Sequence, residues 1–259
     1  NYDSQESVVP GLSTHPTSTD KYNNQQWNPS APQRSLNTSF ASAVPDLTPP
    51  GGGERLRFLS WNILADAFVS QQYFPYVQPK HLLYSYRIEN IVRRQIKTEK
   101  GYREKDCDVL CLQEVDSSDS FFQFLIGLGY DYRYRAKGLQ GILIAYKTSV
   151  LRLVDSRIVD YDMLINGNVD KGQYSKGHGL LMLKVFNQVM QLETKSSRRL
   201  VIGNTHLYWD PQYEKVKYHQ ICSAVSQMYS FADQTDSVVL AGDLNSLPDS
   251  NVVRFVQFR

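Results

Sequence analysis

The sequence predicts an α/β fold in which two packed β-sheets are covered by outer helices. Three observations lead there. Short apolar runs, each bounded by polar or turn residues, recur along the chain from Arg55 onward, the pattern of buried strands. In the middle of the chain several such runs follow one another with no strong helix between them. Helical periodicity is concentrated towards the two ends.

The elements follow in order. Arg57–Ile63 is an apolar run closing on a polar residue, a buried strand. His81–Lys100 places Ile88, Ile91, Val92 and Ile96 at helical spacing, with Arg93, Arg94 and Lys97 opposite. Asp108–Gln113 is a compact buried strand. Ser118–Leu128 is a helix closed by Gly129. Tyr132–Arg135, Gly141–Lys147 and Leu151–Asp160 are strands, as are Leu180–Phe186 and Leu200–Thr205. Tyr213–Asp233 is a helix with Ile221, Ala224, Val225 and Met228 inward. Val238–Ala241 is a further buried strand, and Asn251–Phe258 a helix behind a cap at Asp249 or Ser250. No internal repeat is visible.

Residues 1–53 differ in kind. They are rich in Ser, Thr, Asn and Gln, and seven of the chain's 11 prolines lie between Pro10 and Pro50. Scattered apolar residues cannot offset the entropy of ordering such a segment. It is expected to be a disordered tail ending in the hinge Pro49-Pro50-Gly51-Gly52-Gly53, with recruitment of a protein partner as the alternative reading. Residues 54–259 then form one folded domain.

Composition narrows the function. Hydrophobic residues make up 41%, enough for a globular core, and the net charge of +2 is too small to imply a polyanion partner across the whole surface. Any nucleic-acid site is therefore a local patch. The three cysteines, Cys107, Cys111 and Cys222, lack the spacing of a zinc site or of a disulfide framework. Cys107 and Cys111, spaced C-x₃-C in an apolar run, predict buried thiols, and the odd count predicts a reducing, intracellular setting, the cytoplasm first, with nucleus and mitochondrion as alternatives. No apolar stretch approaches the ~20 residues of a membrane span. The chain begins at Asn1 and suggests a fragment or processed form. Lys21 and Arg34 are the only Lys or Arg before Glu54, unlike an Arg-rich transit peptide.

Four polar groups sit where apolar strands end: Asn62, Glu114, His206, and Asp243 with Asn245. Each alone has a plainer explanation, such as an Asx turn for Asn62 or a turn dipeptide for Gly242-Asp243. Strand ends on one edge converge, however, and the joint set suits a hard divalent ion and a phosphate. Mg²⁺ prefers oxygen ligands and takes only one or two carboxylates from a protein. Asparagine orients phosphate without repelling it, and histidine donates to developing charge. There is no G-x-S-x-G elbow, Walker A loop, dinucleotide fingerprint or H-E-x-x-H. His178, in Ser175-Lys176-Gly177-His178-Gly179, is read as a structural turn residue.

Four segments also resemble the ordered motifs of one family. They are Ser60-Trp61-Asn62-Ile63-Leu64-Ala65-Asp66, Cys111-Leu112-Gln113-Glu114-Val115-Asp116, Asn204-Thr205-His206-Leu207-Tyr208-Trp209-Asp210-Pro211, and Ala241-Gly242-Asp243-Leu244-Asn245-Ser246-Leu247-Pro248. From about Leu56 the chain is similar to the endonuclease/exonuclease/phosphatase superfamily. It resembles the branch of carbon-catabolite-repressor-type deadenylases, nocturnin, Angel proteins and 2′-phosphodiesterases. The resemblance implies a four-layer sandwich of deoxyribonuclease I type. It implies Mg²⁺, with Mn²⁺ as substitute, held by Glu114 with help from Asn62, which also positions phosphate. Asp243 would orient or deprotonate the attacking water, Asn245 and His206 would stabilise the charged phosphorane, and Pro211 would pack against the terminal base. The family also carries a later L-D-Y-I-F strand and an S-D-H motif. Neither occurs before Arg259, so the C-terminal part of the domain is expected to be missing.

The leading expectation is an RNA 3′–5′ exonuclease acting on poly(A) or oligoadenylate and releasing 5′-mononucleotides. The alternatives are a phosphatase of the same superfamily, acting on a phosphoinositide, dinucleotide or cyclic phosphate, and a truncated, inactive isoform that binds RNA or a partner.

Overall fold

The computed structural model describes residues 55–91, 107–165, 170–187 and 199–257. The tail expected over residues 1–53 and the second half of the expected His81–Lys100 helix lie outside them. Within the described residues two four-stranded sheets form. The first has the order β1-β2-β4-β3, built from Phe58–Asn62, Val109–Asp116, Tyr130–Lys137 (β3) and Gln140–Lys147 (β4). The second runs β5-β6-β7-β8, from Leu151–Asp160, Gly179–Asn187, Arg199–His206 and Ser237–Asp243. The helices are α1 (Pro79–Leu82), α2 (Tyr84–Ile91), α3 (Asp119–Gly127), α4 (Lys171–Tyr174), α5 (Glu214–Phe231) and α6 (Asn251–Gln257).

Period-2 patterning in the central strands builds three apolar layers. On β2, Val109 and Cys111 point between the sheets and meet Ile142 and Ile144 of β4, Leu181 and Leu183 of β6, and Ile202 of β7. Their neighbours Leu110 and Leu112 face outward to Phe121, Phe122 and Leu125 of α3 and Ile91 of α2. On β6, Leu180 and Met182 face Ile221, Ala224 and Met228 of α5 and Val252 of α6. Helix, sheet, sheet and helix therefore make four layers, the expected sandwich. Each fully buried aliphatic side chain contributes roughly 1.5–3 kcal/mol.

Most elements fall where the periodicity places them, with three differences. The helix expected to start at His81 is broken at Leu83, whose ψ of 129° is extended, so α1 and α2 are separate. The Leu83 carbonyl accepts from Arg87 N and opens α2. The strand at Val238–Ala241 was expected to be buried, yet Val238 is 38% exposed. Among the described residues β8 pairs only with β7, and an apolar run alone does not separate one-sided from two-sided burial. His178 is not in a turn; it directly precedes β6 and is buried. The cap of α6 is Ser250, whose hydroxyl accepts from Val253 N at 3.2 Å.

The sheets share one design. Each carries a parallel pair at one edge, β1 with β2 and β7 with β8, followed by antiparallel strands. The two parallel pairs pack against each other, β1 and β2 on β7 and β8. Their C-terminal ends form the site.

Candidate functional site

Register brings the polar strand ends together. Asn62 is the partner of Gln113, next to Glu114, and His206 is the partner of Asp243. Packing then joins the sheets. Asn62 Nδ2 donates to Glu114 Oε1 at 2.7 Å and to Asp243 Oδ2 at 3.0 Å. His206 Nε2 lies 3.8 Å from the same Asp243 oxygen. Asn245 N donates to Asp243 Oδ1 at 2.9 Å, and its side chain is tied to the Leu207 carbonyl. Five of the six residues singled out in the sequence thus converge. Pro211 makes none of these contacts; it is exposed and heads the 3-10 turn Pro211–Tyr213 before α5.

Local backbone features aim the side chains. β2 carries a bulge between Leu112 and Val115 that places one extra residue opposite β4. Within it Glu114 adopts φ +54°, the left-handed region. Such a conformation costs of order 1–3 kcal/mol for a non-glycine residue and persists only when its surroundings impose it. They do so here. Glu114 Oε2 accepts from Ala65 N at 3.1 Å, in a loop turned by Leu64 at φ +61°. Asn62 Oδ1 accepts from Leu64 N at 3.0 Å, so Asn62 makes the Asx turn and also bridges the carboxylates. Gly242 has φ +142°, and a Cβ there would lie 2.1 Å from the Thr205 carbonyl. Only glycine lets β8 deliver Asp243 at that spacing. Asn245 is the other left-handed residue beside the site, at φ +46°, and the buried Lys217 donates to its carbonyl at 2.8 Å.

A basic group, not singled out in the sequence, adjoins the carboxylates. Lys137 Nζ, at the end of β3, lies 2.7 Å from His178 Nε2 and 3.0 Å from Nδ1. The His178 ring stands edge-to-face with His206, 6.3 Å between centroids. Burial, reinforced by the Arg135 charge, lowers the Lys137 ammonium to about 8. Burial, then the Lys137 charge, lowers His178 to about 3, so it is neutral at pH 7. Burial also lowers His206, against the opposing pull of Asp243 and Glu114. Asp162 orders the loop ahead of His178, accepting from Ser175 Oγ, Lys176 N and Gly177 N. Those hydrogen bonds outweigh burial, which alone would raise its carboxyl, and hold it below the usual range. Lys137 and His178 carry no strand-end motif, and the only sequence signal is the glycine pair flanking His178.

The site therefore has an acidic half, Glu114 and Asp243 joined by Asn62, and a basic half of His206, His178 and Lys137. Among the described residues no group of three or more His, Cys, Asp or Glu converges as a metal cage. The Glu114 and Asp243 carboxylates, each oxygen of which accepts one hydrogen bond and keeps a further lone pair, match in kind the sparse oxygen set that Mg²⁺ takes from proteins. The Cys111 thiol does not compete: it is fully buried between the sheets, and burial pushes it up to about 12, while Cys107 and Cys222 are half-buried.

The sequence is 28% identical over 222 residues to 2′,5′-phosphodiesterase 12 of Rattus norvegicus, covering 78% of this chain and 35% of that protein. It is 28% identical over 240 residues to carbon catabolite repressor protein 4 homolog 4 of Arabidopsis thaliana, covering 79% and 56%. The chain thus spans between about a third and just over half of these relatives. By structure it is similar to ANGEL2, a 2′,3′-cyclic phosphatase, with a TM-score of 0.64 at 23% identity over 78% of this chain and 56% of the other. It also matches the human nocturnin catalytic domain, with a TM-score of 0.58 at 22% identity, covering 78% and 68%. These likenesses bear out the sandwich fold. The profile of the Endonuclease/Exonuclease/phosphatase family matches residues 59–259, so the strand-end motifs, the two sheets and this match agree that the chain belongs to that family.

Proposed function

We propose that the chain is the catalytic part of a Mg²⁺-dependent phosphodiesterase that removes nucleotides from the 3′ end of adenylate-rich RNA and releases 5′-mononucleotides. The observation that carries this reading is the Asn62 amide shared by Glu114 and Asp243, one carboxylate from each sheet, with His206 beside them. Relatives named as phosphodiesterases and as a 3′-5′-exoribonuclease subunit of the Neurospora crassa CCR4-Not complex support the reaction class.

In this reading Glu114 would hold Mg²⁺ or Mn²⁺, with Asn62 fixing its carboxylate. When bound, the ion supplies Lewis-acid polarisation of a phosphoryl oxygen and lowers the pKa of water. Asp243 orients the attacking water and accepts its proton at Oδ2. The Asn62 N–H and Asn245 N–H that already hold Asp243 keep that carboxylate in one rotamer. His206, kept neutral by burial, donates a ring N–H to charge growing on the phosphate. Lys137 supplies the counter-charge on the far side, and Pro211 packs against the terminal base.

Incubation of the chain with Mg²⁺ and three labelled substrates tests this: 3′-5′-linked A-tailed RNA, 2′-5′ oligoadenylate, and RNA ending in a 2′,3′-cyclic phosphate. The expected result is stepwise shortening of the A-tailed RNA with release of AMP. Faster cleavage of the 2′-5′ oligomer would move the assignment to that linkage, in line with the phosphodiesterase 12 relatives. Ring opening without shortening would replace the nuclease reading by a phosphatase.

A further inference from the structure

Three groups of aromatic rings, linked through Lys176 and through neighbours in sequence, lead away from the site. The His178 ring meets the Tyr208 ring edge-to-face at 5.6 Å. Tyr208 in turn meets Trp209 at 6.0 Å and Tyr213 at 5.4 Å. Lys176 Nζ sits over both tyrosines, 5.1 Å from the Tyr208 centroid and 4.7 Å from that of Tyr213. Two residues before Lys176, Tyr174 packs edge-on against His219 of α5 at 5.6 Å. Next to His219, Tyr218 meets Phe255 of α6 at 5.6 Å. Trp209 is 56% exposed and Tyr218 40%, so the strip faces solvent.

The strip ends in a groove of about 800 Å³ between α4, α5 and α6. Tyr174, Tyr218, His219 and Phe255 line it, with Lys215 and Arg254 at exposed helix positions. Its single carboxylate, Glu214, is engaged: its Oε1 accepts from Asn251 N at 3.2 Å. The groove thus combines rings with two exposed cations against one carboxylate, a net positive charge among aromatic faces that suits a single-stranded nucleic acid. In tracks for single strands bases stack on aromatic faces and Lys or Arg follows the phosphates. An aliphatic helix would leave the Lys215 and Arg254 charges unanswered, and an acidic peptide would have no use for four rings.

We propose that this groove, reached along Tyr208, Tyr213 and Lys176, binds the upstream nucleotides of an RNA whose 3′ end occupies the Glu114–Asp243 site. The inference rests on the RNA reading above and adds the location and the length dependence of substrate binding. Short substrates fill only the catalytic centre, whereas longer ones gain stacking and two phosphate contacts.

Fluorescence anisotropy on the intact chain tests it, with oligo(A) of 3 or 15 nucleotides protected by a phosphorothioate at the terminal linkage. The variants are Tyr218→Ala and, to spare the packing, the exposed double reversal Lys215→Glu/Arg254→Glu. Both are expected to weaken 15-mer binding about 10-fold, or ~1.4 kcal/mol. The 3-mer should change less than about 2-fold, by the same scale. In the double variant the slope of log K against log salt should fall by about 1.4, at ~0.7 per single-strand phosphate contact. Unchanged 15-mer affinity in the double variant overturns the groove assignment, as does an equal loss for both lengths. A change in self-association in place of RNA affinity would assign the groove to a second copy. Failure of the unaltered chain to bind either oligomer would instead remove the RNA reading itself.

Discussion

Gln113 and Asn204 join the two sheets through a buried hydrogen bond, Gln113 Nε2 donating to Asn204 Oδ1 at 2.8 Å. Asn204 Nδ2 donates in turn to the carbonyls of Leu112 and Leu143, both at 2.9 Å. These carbonyls flank the β2 bulge that carries Glu114. The carboxamide therefore satisfies backbone groups near the irregular ladder and holds the bulge against the opposite sheet.

Asn204→Leu should expose this dependence. It takes the side-chain donor from two buried carbonyls, each worth roughly 1–3 kcal/mol when unsatisfied, and one of the two acceptors of Gln113 Nε2, which keeps its bond to the Cys111 carbonyl. With partial relaxation, a loss of about 3 kcal/mol in unfolding free energy is expected in urea titration. Hydrolysis should fall further than stability alone explains, because Glu114 loses its fixed position. A variant as stable as the parent would show that the clasp is replaceable.

Glu114→Gln should leave the fold intact and remove Mg²⁺-dependent hydrolysis, by about 10³-fold or more on the scale of lost transition-state electrostatics. The amide oxygen keeps one of the two acceptors, for Ala65 N or for Asn62 Nδ2, and loses the other, a local cost that should leave far-UV circular dichroism unchanged. Calorimetric Mg²⁺ titration should lose its binding heat. Full activity in this variant is incompatible with Glu114 as the ion's ligand.

His178 makes stability pH-dependent. Its folded pKa of about 3 lies below the ordinary 6.5, so between these values the unfolded chain binds more protons. Stability should rise from pH 4 to pH 6.5, then level off as far as this group is concerned. His178→Leu removes that contribution, and its thermal midpoint should vary less over the same range. Parallel curves for parent and variant would contradict a buried neutral imidazole.

Lys137 should set an alkaline limb on the activity. Burial brings its ammonium to about 8, so its charge is lost above that pH while an ordinary lysine keeps it. The kcat/KM of the parent is expected to fall through pH 8–9. Lys137→Arg should carry activity to higher pH, and Lys137→Met should be low and flat. An identical alkaline limb in Lys137→Arg would assign it to another group.

The sequence by itself determined the fold class, the order of strands and helices, and most of the site, because these are written in local periodicity. Asn62, His206 and Asp243 close apolar strands and converge at one edge, whereas Glu114, expected at a strand end, lies in a bulge two residues before the end of β2. Tertiary structure decided the rest. The exposure of β8 depends on its pairing, among the described residues, with β7 alone, and the break at Leu83 on one extended residue inside a helical pattern. The pairing of Asn62 with Asp243 spans 181 positions and exists only because two sheets pack face to face. Lys137 ends β3 of one sheet and His178, 41 positions away, directly precedes β6 of the other, and neither stands in a motif. Periodicity reports which face of an element is buried, but not what lies against that face. The basic half of the site therefore became visible only in three dimensions.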